Sequence, residues 1–520
     1  MIRHGQAKNR GVIERRAMSL RFSQRPARSH LSQTISALSF VALLIALIVA
    51  SRDDSALAED SPLQDGTDVV SDDPGARAQL SRSIDRPALE RLALREAGRQ
   101  GGQVYPIPDL HRIDVLSSKS GTIDLSARPQ LSGRVGDRYA SLTPKNNFVF
   151  YTVDPDLQEH VTALVSRAQA SHVAIVAMNP STGAILAIAG KSNSIKDIEY
   201  HAQFPAASLF KVVTAAAAVE HAGIASHSLV GFRGGMYTLN QWNYYPDPRK
   251  DRRLMSVGEA LGRSCNPVFG HLGIKYLNGD VLARYANLFG FNRSLSFEAP
   301  LAESSALIPR DNQYELSRTS AGFGDVRISP IHAAALMSGI ANGGLLPRPQ
   351  IVDTIVSPAG AVLHEQRPEA LQRIVDASTA DVLMEMMRNT TTVGTSRREF
   401  MRGAAPVLGT IDVAGKTGTL SGDNPEGLNN WFIGAAPIKD PRIAVAVITV
   451  DPRRASKASH LARLVLQKFF GLQDNAAPAT ASHSNKKYRS YKSSRPKVSS
   501  KSTTTSVSRS KHSSKSSKRA

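Results

Sequence analysis

The chain has 520 residues and a formal net charge of +20, yet that charge sits almost wholly at its two ends. Residues 1–30 hold eight Lys/Arg against one acid, and residues 481–520 hold twelve against none, so the stretch between them is close to neutral. Proteins that act on nucleic acid carry basic groups across their folded face, which excludes that class, and the single cysteine, Cys265, excludes an intramolecular disulfide.

In chain order, a basic leader (residues 1–32) precedes the uncharged run "TISALSFVALLIALIVA", Thr34 to Ala50. Its length sits at the lower end of the roughly 17–25 residues that cross a bilayer. Basic residues lie before it, and Asp53, Asp54, Glu59 and Asp60 follow. That asymmetry predicts a membrane anchor over 33–50 with the N-terminus inside. The competing reading is a cleaved signal peptide ending at "ALA", 56–58. The two aspartates before that site and the long leader favour a retained anchor. Residues 51–140 read as a polar stalk or small N-terminal region with one helix in "DRPALERLALREAG". There Asp85 can cap, Pro87 can occupy the first turn, and Leu89, Leu92 and Ala93 share a face.

The globular part is expected over 141–473, a length that one core can serve. "DPDLQEHVTALVSRAQA" opens it as a helix with Leu157, Val161, Leu164 and Val165 on one stripe. "HVAIVAMNPSTGAILAIAG" reads as two apolar strands around a turn. Helices follow in "SPIHAAALMSGIANGG" and in "STADVLMEMMRNT", the latter with a Ser378…Asp381 capping box. A second hairpin pairs "NNWFIGAAP" with "RIAVAVITV", and the helix "SHLARLVLQKFF" closes the unit. Strands at both ends with helices between imply an α+β domain whose termini meet in one antiparallel sheet. Residues 474–520, rich in Ser, Lys and Arg, bury too little to offset their ordering entropy and are expected to be disordered.

Three short motifs carry the chemistry. "GKTGT" (415–419) is not a phosphate loop, because five residues lie between Gly409 and Gly415 where four are required, and strand chemistry follows. Upstream, Ser208-Leu-Phe-Lys211 places a hydroxyl and an amine three residues apart, hence on one helical face. Between the two lies Ser264-Cys265-Asn266. A serine needs a nearby base to become a nucleophile. Lys211 can be that base when neutral, a state favoured by burial and by the second cation, Lys416.

The ordered set SxxK, SxN, KTG resembles the penicillin-binding protein transpeptidase family. The resemblance covers roughly 145–470 and extends to "TVDPDLQ", "MNPSTGAILAIAG" and "WFIGAAP". It implies an antiparallel sheet flanked by helices plus an all-helical subdomain. It also implies a D,D-transpeptidase that cross-links peptidoglycan stem peptides through a Ser208 acyl-enzyme and binds β-lactams. By the same resemblance Lys211 is the base, and Ser264 relays its proton to the leaving amine. Asn266 would bond the substrate's amide, and Gly418 leaves room for backbone approach. The N–H groups of Ser208 and Thr419 would form the oxyanion hole, while Lys416, Thr417 and Thr419 would bind the terminal carboxylate. Neither a metal nor an organic cofactor is required. The expected setting is the inner membrane, single-pass, with the catalytic domain on the periplasmic side, near other cell-wall synthesis proteins. The basic tail could touch anionic wall polymer or lipid.

Two further readings stay open: a hydrolase on the same framework, or a β-lactam sensor or wall-binding scaffold without turnover. The loop Glu298-Ala-Pro-Leu-Ala302 lacks the Asn of the ExxLN signature, and Asn266 stands where class D enzymes have Val. Both departures speak against a β-lactamase and leave a D,D-carboxypeptidase open. Cys265, the scattered histidines, Trp431 and Phe432 are read as packing residues.

Overall fold

The computed structural model describes residues 110–117, 123–451 and 457–473. The expected anchor, the helix over 85–98 and the basic tail lie outside these residues. No helix among the described residues is long and apolar enough to cross a membrane.

Five strands form the central antiparallel sheet: β1 (His172–Met178), β2 (Ile185–Ser192), β3 (Ala414–Asp423), β4 (Glu426–Ala436) and β5 (Ile443–Asp451). Their order is β3-β4-β5-β1-β2, so the first strands of the domain lie beside the last. Every residue of β1 is buried because both faces of the sheet are covered. On one face, Val173, Ile175, Val445 and Val447 pack with helices α1 (Pro155–Arg167) and α7 (Ala458–Phe469) through Leu157, Val161, Leu461 and Val465. On the other, Ala174, Val176 and Ile448 share a core with α5 (Pro330–Ala341), which is buried along nearly its whole length. Helix α1 starts where Asp154 accepts the N–H of Leu157 at 2.8 Å, with Pro155 in its first turn. Its expected stripe forms, with Leu157, Val161 and Val165 buried and Leu164 half-buried against the same core.

The helical side comprises α2 (Lys211–Glu220), α3 (Val257–Arg263), α4 (Asn266–Lys275) and α6 (Ala377–Thr392), with α6 packed between α3 and β3. The Ser378…Asp381 capping box does not form. The helix begins at Ala377 with Asp376 at the cap position and no side-chain cap bond. The start is set by tertiary contact instead, since Glu220 at the end of α2 accepts the Asp376 N–H at 3.0 Å.

The described residues between 110 and 140 contribute more core than a stalk would. The strand Arg138–Leu142 crosses the expected boundary at 140 and pairs with Phe148–Tyr151 in a second five-stranded sheet. Leu110, Val135, Ala140, Leu142, Phe148, Phe150 and Val356 form its core. Strands of two to five residues give too few alternations for a periodic signal.

Candidate active site

Ser208 lies in a single 3₁₀ turn, Ala207–Phe210, that runs directly into α2 at Lys211. The two side chains meet with 2.8 Å between Lys211 Nζ and Ser208 Oγ. Lys211 is completely buried, and its Nζ also reaches Asn266 Oδ1 at 2.8 Å and the carbonyl of Ala321. Those two oxygens can only accept, so they take two N–H groups. A neutral amine has two N–H groups and one lone pair, and the lone pair is then left for the serine hydroxyl. This is the arrangement a general base requires. Burial is the main cause that brings the pKa of Lys211 down to about 7.

Lys416 is equally buried. Its Nζ donates to Ser264 Oγ at 2.9 Å and to the Thr417 carbonyl at 2.8 Å. Burial, followed by repulsion from Lys211, holds its pKa well below the ordinary lysine value. Because repulsion is mutual, the two amines titrate as a pair.

Ser264 ends α3 in the left-handed region at φ 57°, which turns the chain so that Asn266 can begin α4. Met236 O accepts the Asn266 backbone N–H at 2.7 Å, and Tyr237 O accepts from Nδ2 at 2.8 Å. Lys211 occupies one lone pair of Oδ1, and Tyr237 one hydrogen of Nδ2. One acceptor site and one donor remain for a ligand.

The KTG segment is part of β3, an edge of the sheet, with Lys416 opposite Ile433 and Gly418 opposite Trp431. A Cβ on Gly418 would come within 3.2 Å of Ala206 O and 3.4 Å of Ala207 Cβ. The close approach that Gly418 permits is therefore that of the nucleophile's own turn. Trp431 Nε1 donates to Pro205 O at 3.0 Å from the adjacent strand and ties that turn to the sheet. Thr417 Oγ1 is 2.6 Å from Thr395 Oγ1, and Asn430 Nδ2 donates to Thr419 Oγ1 at 3.3 Å.

The structure thus brings Ser208, Lys211 and Asn266 into one hydrogen-bonded group and Lys416 and Ser264 into a second, close enough for the two amines to repel, and sets Gly418 against the turn that bears Ser208. Sequence reasoning missed five participants: the Ala321 carbonyl, Gly322, Thr395 and the carbonyls of Met236 and Tyr237. Gly322 (φ +87°) allows the approach of residue 207, since a Cβ there would lie 2.2 Å from Ala207 O. The glycines of "AGFG", 321–324, were a signal that could have flagged this segment. Cys265 is fully buried and its thiol is pushed up to about 11 by burial, so it is packing. Trp431 and Phe432 are fully buried on opposite faces of β4, in separate cores.

The sequence profile described as the penicillin-binding protein transpeptidase domain matches residues 173–470, more than half of the chain. The chain belongs to this family. It is similar to the peptidoglycan D,D-transpeptidase PbpA of Mycobacterium tuberculosis, with 27% identity over 434 residues, 70% of this chain and 86% of the relative. The crystal structure of PBPA from M. tuberculosis superposes with a TM-score of 0.51 at 25% identity, covering 64% of this chain and 82% of that one. The imipenem acyl-enzyme complex of penicillin-binding protein A from M. tuberculosis gives a TM-score of 0.50 at 25% identity, covering 64% and 80%.

Proposed function

We propose that the chain is a serine-type peptidoglycan D,D-transpeptidase that binds β-lactams, with Ser208 as nucleophile. The observation that carries this reading is the geometry of Lys211, whose two N–H groups are committed to carbonyl oxygens and whose remaining valence faces Ser208 Oγ. The likeness to PbpA and to its β-lactam acyl-enzymes supports the substrate class.

In the reaction, Ser208 Oγ attacks the penultimate D-Ala carbonyl of a stem peptide while its proton passes to Lys211 Nζ. The oxyanion is met by the N–H groups of Ser208 and Thr419; one such donor is typically worth about 10²–10³ in rate. Collapse breaks the C–N bond, and the proton held by Lys211 passes through Ser264 to the departing D-Ala amine, which leaves Lys211 neutral again. Thr417 and Thr419 hold the terminal carboxylate beside Lys416. An amine of a neighbouring stem then attacks the ester and gives its proton to Lys211, which passes a proton to Ser208 Oγ as the C–O bond breaks, and the cross-link is complete. An anchor over residues 33–50 would hold this domain on the periplasmic side of the inner membrane, beside its polymer and its synthesis partners.

The deciding test is the intact mass of the chain after addition of a penicillin. A single adduct on Ser208, absent in Ser208→Ala, is expected, and modification at any other residue overturns the assignment. Incubation with wall precursor separates the remaining reading: D-Ala release without a cross-linked dimer identifies a carboxypeptidase.

A further inference from the structure

The loop that holds Asn266 also displays aromatic surface that the acylation chemistry does not use. It connects the strand Leu229–Phe232 to the strand Arg253–Ser256, and the two strands pair antiparallel. Tyr237, Trp242 and Tyr245 leave it with 63%, 61% and 53% of their surfaces exposed. Three large rings given to solvent by one short loop are a mark of binding. The backbone beneath them is clamped. Arg233, held by buried Asp251 at 2.6 Å, donates to the carbonyls of Trp242 at 2.7 Å and Tyr245 at 3.2 Å. Asn243, fully buried, donates to Arg233 O at 3.2 Å and Thr238 O at 3.0 Å while accepting the Asn240 N–H at 2.9 Å. The Trp242 ring lies against Gly234, where a Cβ would come within 2.9 Å of Cζ3. Tyr245 meets Tyr244 edge-on at 6.1 Å, and Tyr244 meets Tyr314 at 5.1 Å. Rings fixed in this way lose little freedom when a ligand covers them.

This platform begins at the catalytic cleft. Met236 O and Tyr237 O accept the backbone N–H and the Nδ2 of Asn266, whose Oδ1 meets Lys211. Tyr237 thus stands two hydrogen bonds from the general base. On the transpeptidase reading, the reacting peptide hangs from a saccharide chain. A stem of five residues spans no more than about 17 Å when extended, so its saccharide must pass along the rim of this cleft. Pyranose rings present C–H faces, which pack on the electron-rich faces of Trp and Tyr while their hydroxyls stay in water. The charges agree with such a polymer. Asp251 is paired with Arg233 and Asp247 with Lys250, whereas Arg249 and Arg252 stay exposed, complementary to the carboxylates its peptides bear.

We propose that Tyr237, Trp242 and Tyr245 form a subsite for the saccharide of the peptidoglycan strand, seating the polymer so that its stem peptide enters the cleft past Asn266. The identity of the ligand rests on the transpeptidase reading above, but its binding is measured without turnover.

The chain supplies its own probe. It has two tryptophans, exposed Trp242 and fully buried Trp431, so acrylamide quenching of the full chain reports Trp242, an assignment fixed by loss of the quenchable signal in Trp242→Phe. Wall glycan freed of its peptides by an amidase should protect that signal from acrylamide, in the wild-type chain and equally in Ser208→Ala. Absence of protection overturns the proposal, as does equal protection by a sugar-free pentapeptide. Protection that grows with chain concentration alone marks a contact between two copies and overturns it too. Turnover gives a second readout. Trp242→Ala keeps the carbonyl that Arg233 holds, and it should raise KM for a disaccharide-pentapeptide about tenfold more than KM for the pentapeptide alone, the loss of one well-packed anchor. An equal rise for both substrates overturns the subsite. A wild-type chain that takes no penicillin and turns over neither peptide counts against the transpeptidase reading instead, and protection by the glycan still decides the subsite.

Discussion

Lys211 Nζ and Ser208 Oγ stand 2.8 Å apart, and which of them donates depends on pH. Below about 7 the amine is an ammonium and donates to the serine; above it the serine donates to the amine. Acylation by a chromogenic β-lactam should therefore rise with pH through about 7. Stability should move in the same direction. The unfolded chain keeps the lysine proton up to its ordinary value of 10.5 while the folded chain gives it up near 7, so the burial penalty is full below 7 and fades as pH rises through that window. Lys211→Met should flatten the stability rise and slow acylation by about 10²–10⁴. Stopped-flow rates and urea midpoints from pH 6 to 10 measure both.

Two glycines frame the nucleophile's turn, and they should respond differently to an added methyl. Gly322→Ala puts Cβ 2.2 Å from the Ala207 carbonyl oxygen, at a backbone φ of +87°. Strain of that kind costs on the order of 1–3 kcal/mol, and relief must displace residues 207–208. Gly418→Ala meets its neighbours no closer than 3.2 Å. Gly322→Ala is expected to lose both stability and acylation, and Gly418→Ala to retain most of its stability. Equal loss of stability in both variants would show that the contact at residue 207 is not what matters.

Thr395 approaches Thr417 hydroxyl to hydroxyl at 2.6 Å, from outside all three motifs. In Thr395→Val the Thr417 hydroxyl is released to rotate, and a carboxylate loses an oriented donor. The KM for a thioester bearing a free carboxylate should rise several-fold, about the worth of one hydrogen bond. A matched ester substrate should be far less affected. Parallel kinetics on the two substrates provide the check.

Glu298 was the residue nearest to a deacylating glutamate in the sequence. It is buried, accepts the Ile351 N–H at 3.1 Å, and burial raises its carboxyl to about 7. Its contacts include none of the cluster around Ser208. Between pH 4.5 and 7 the folded chain holds a proton that the unfolded chain gives up, so this group makes stability fall as pH rises. Glu298→Gln should remove that part of the decline and leave the lifetime of a penicillin acyl-enzyme unchanged. A longer-lived acyl-enzyme in the variant would restore the hydrolase reading.

Elements that bury a periodic stripe could be read in advance. The stripe on α1 and the two apolar hairpins follow from spacing alone, because each is long enough to repeat its pattern. The serine–lysine contact was also legible, since the two stand three positions apart along a single turn. What escaped notice depends on distant parts of the chain. The Ala321 carbonyl, Thr395 and the Met236–Tyr237 loop reach the site through folding, and a backbone carbonyl leaves no mark on sequence. The start of α6 was misplaced for a related reason, as Glu220 fixes Asp376 from another helix.

The neighbouring of β1 with β5 has a consequence for how the molecule is made. Ile175 pairs with Val447, so a hairpin synthesised early must wait, apolar on both faces, until the closing hairpin and α7 arrive. Pairings this remote in sequence make assembly slow and leave intermediates prone to aggregate. The KTG strand belongs to the late portion, so reactivity toward penicillin should be among the last properties a nascent chain acquires.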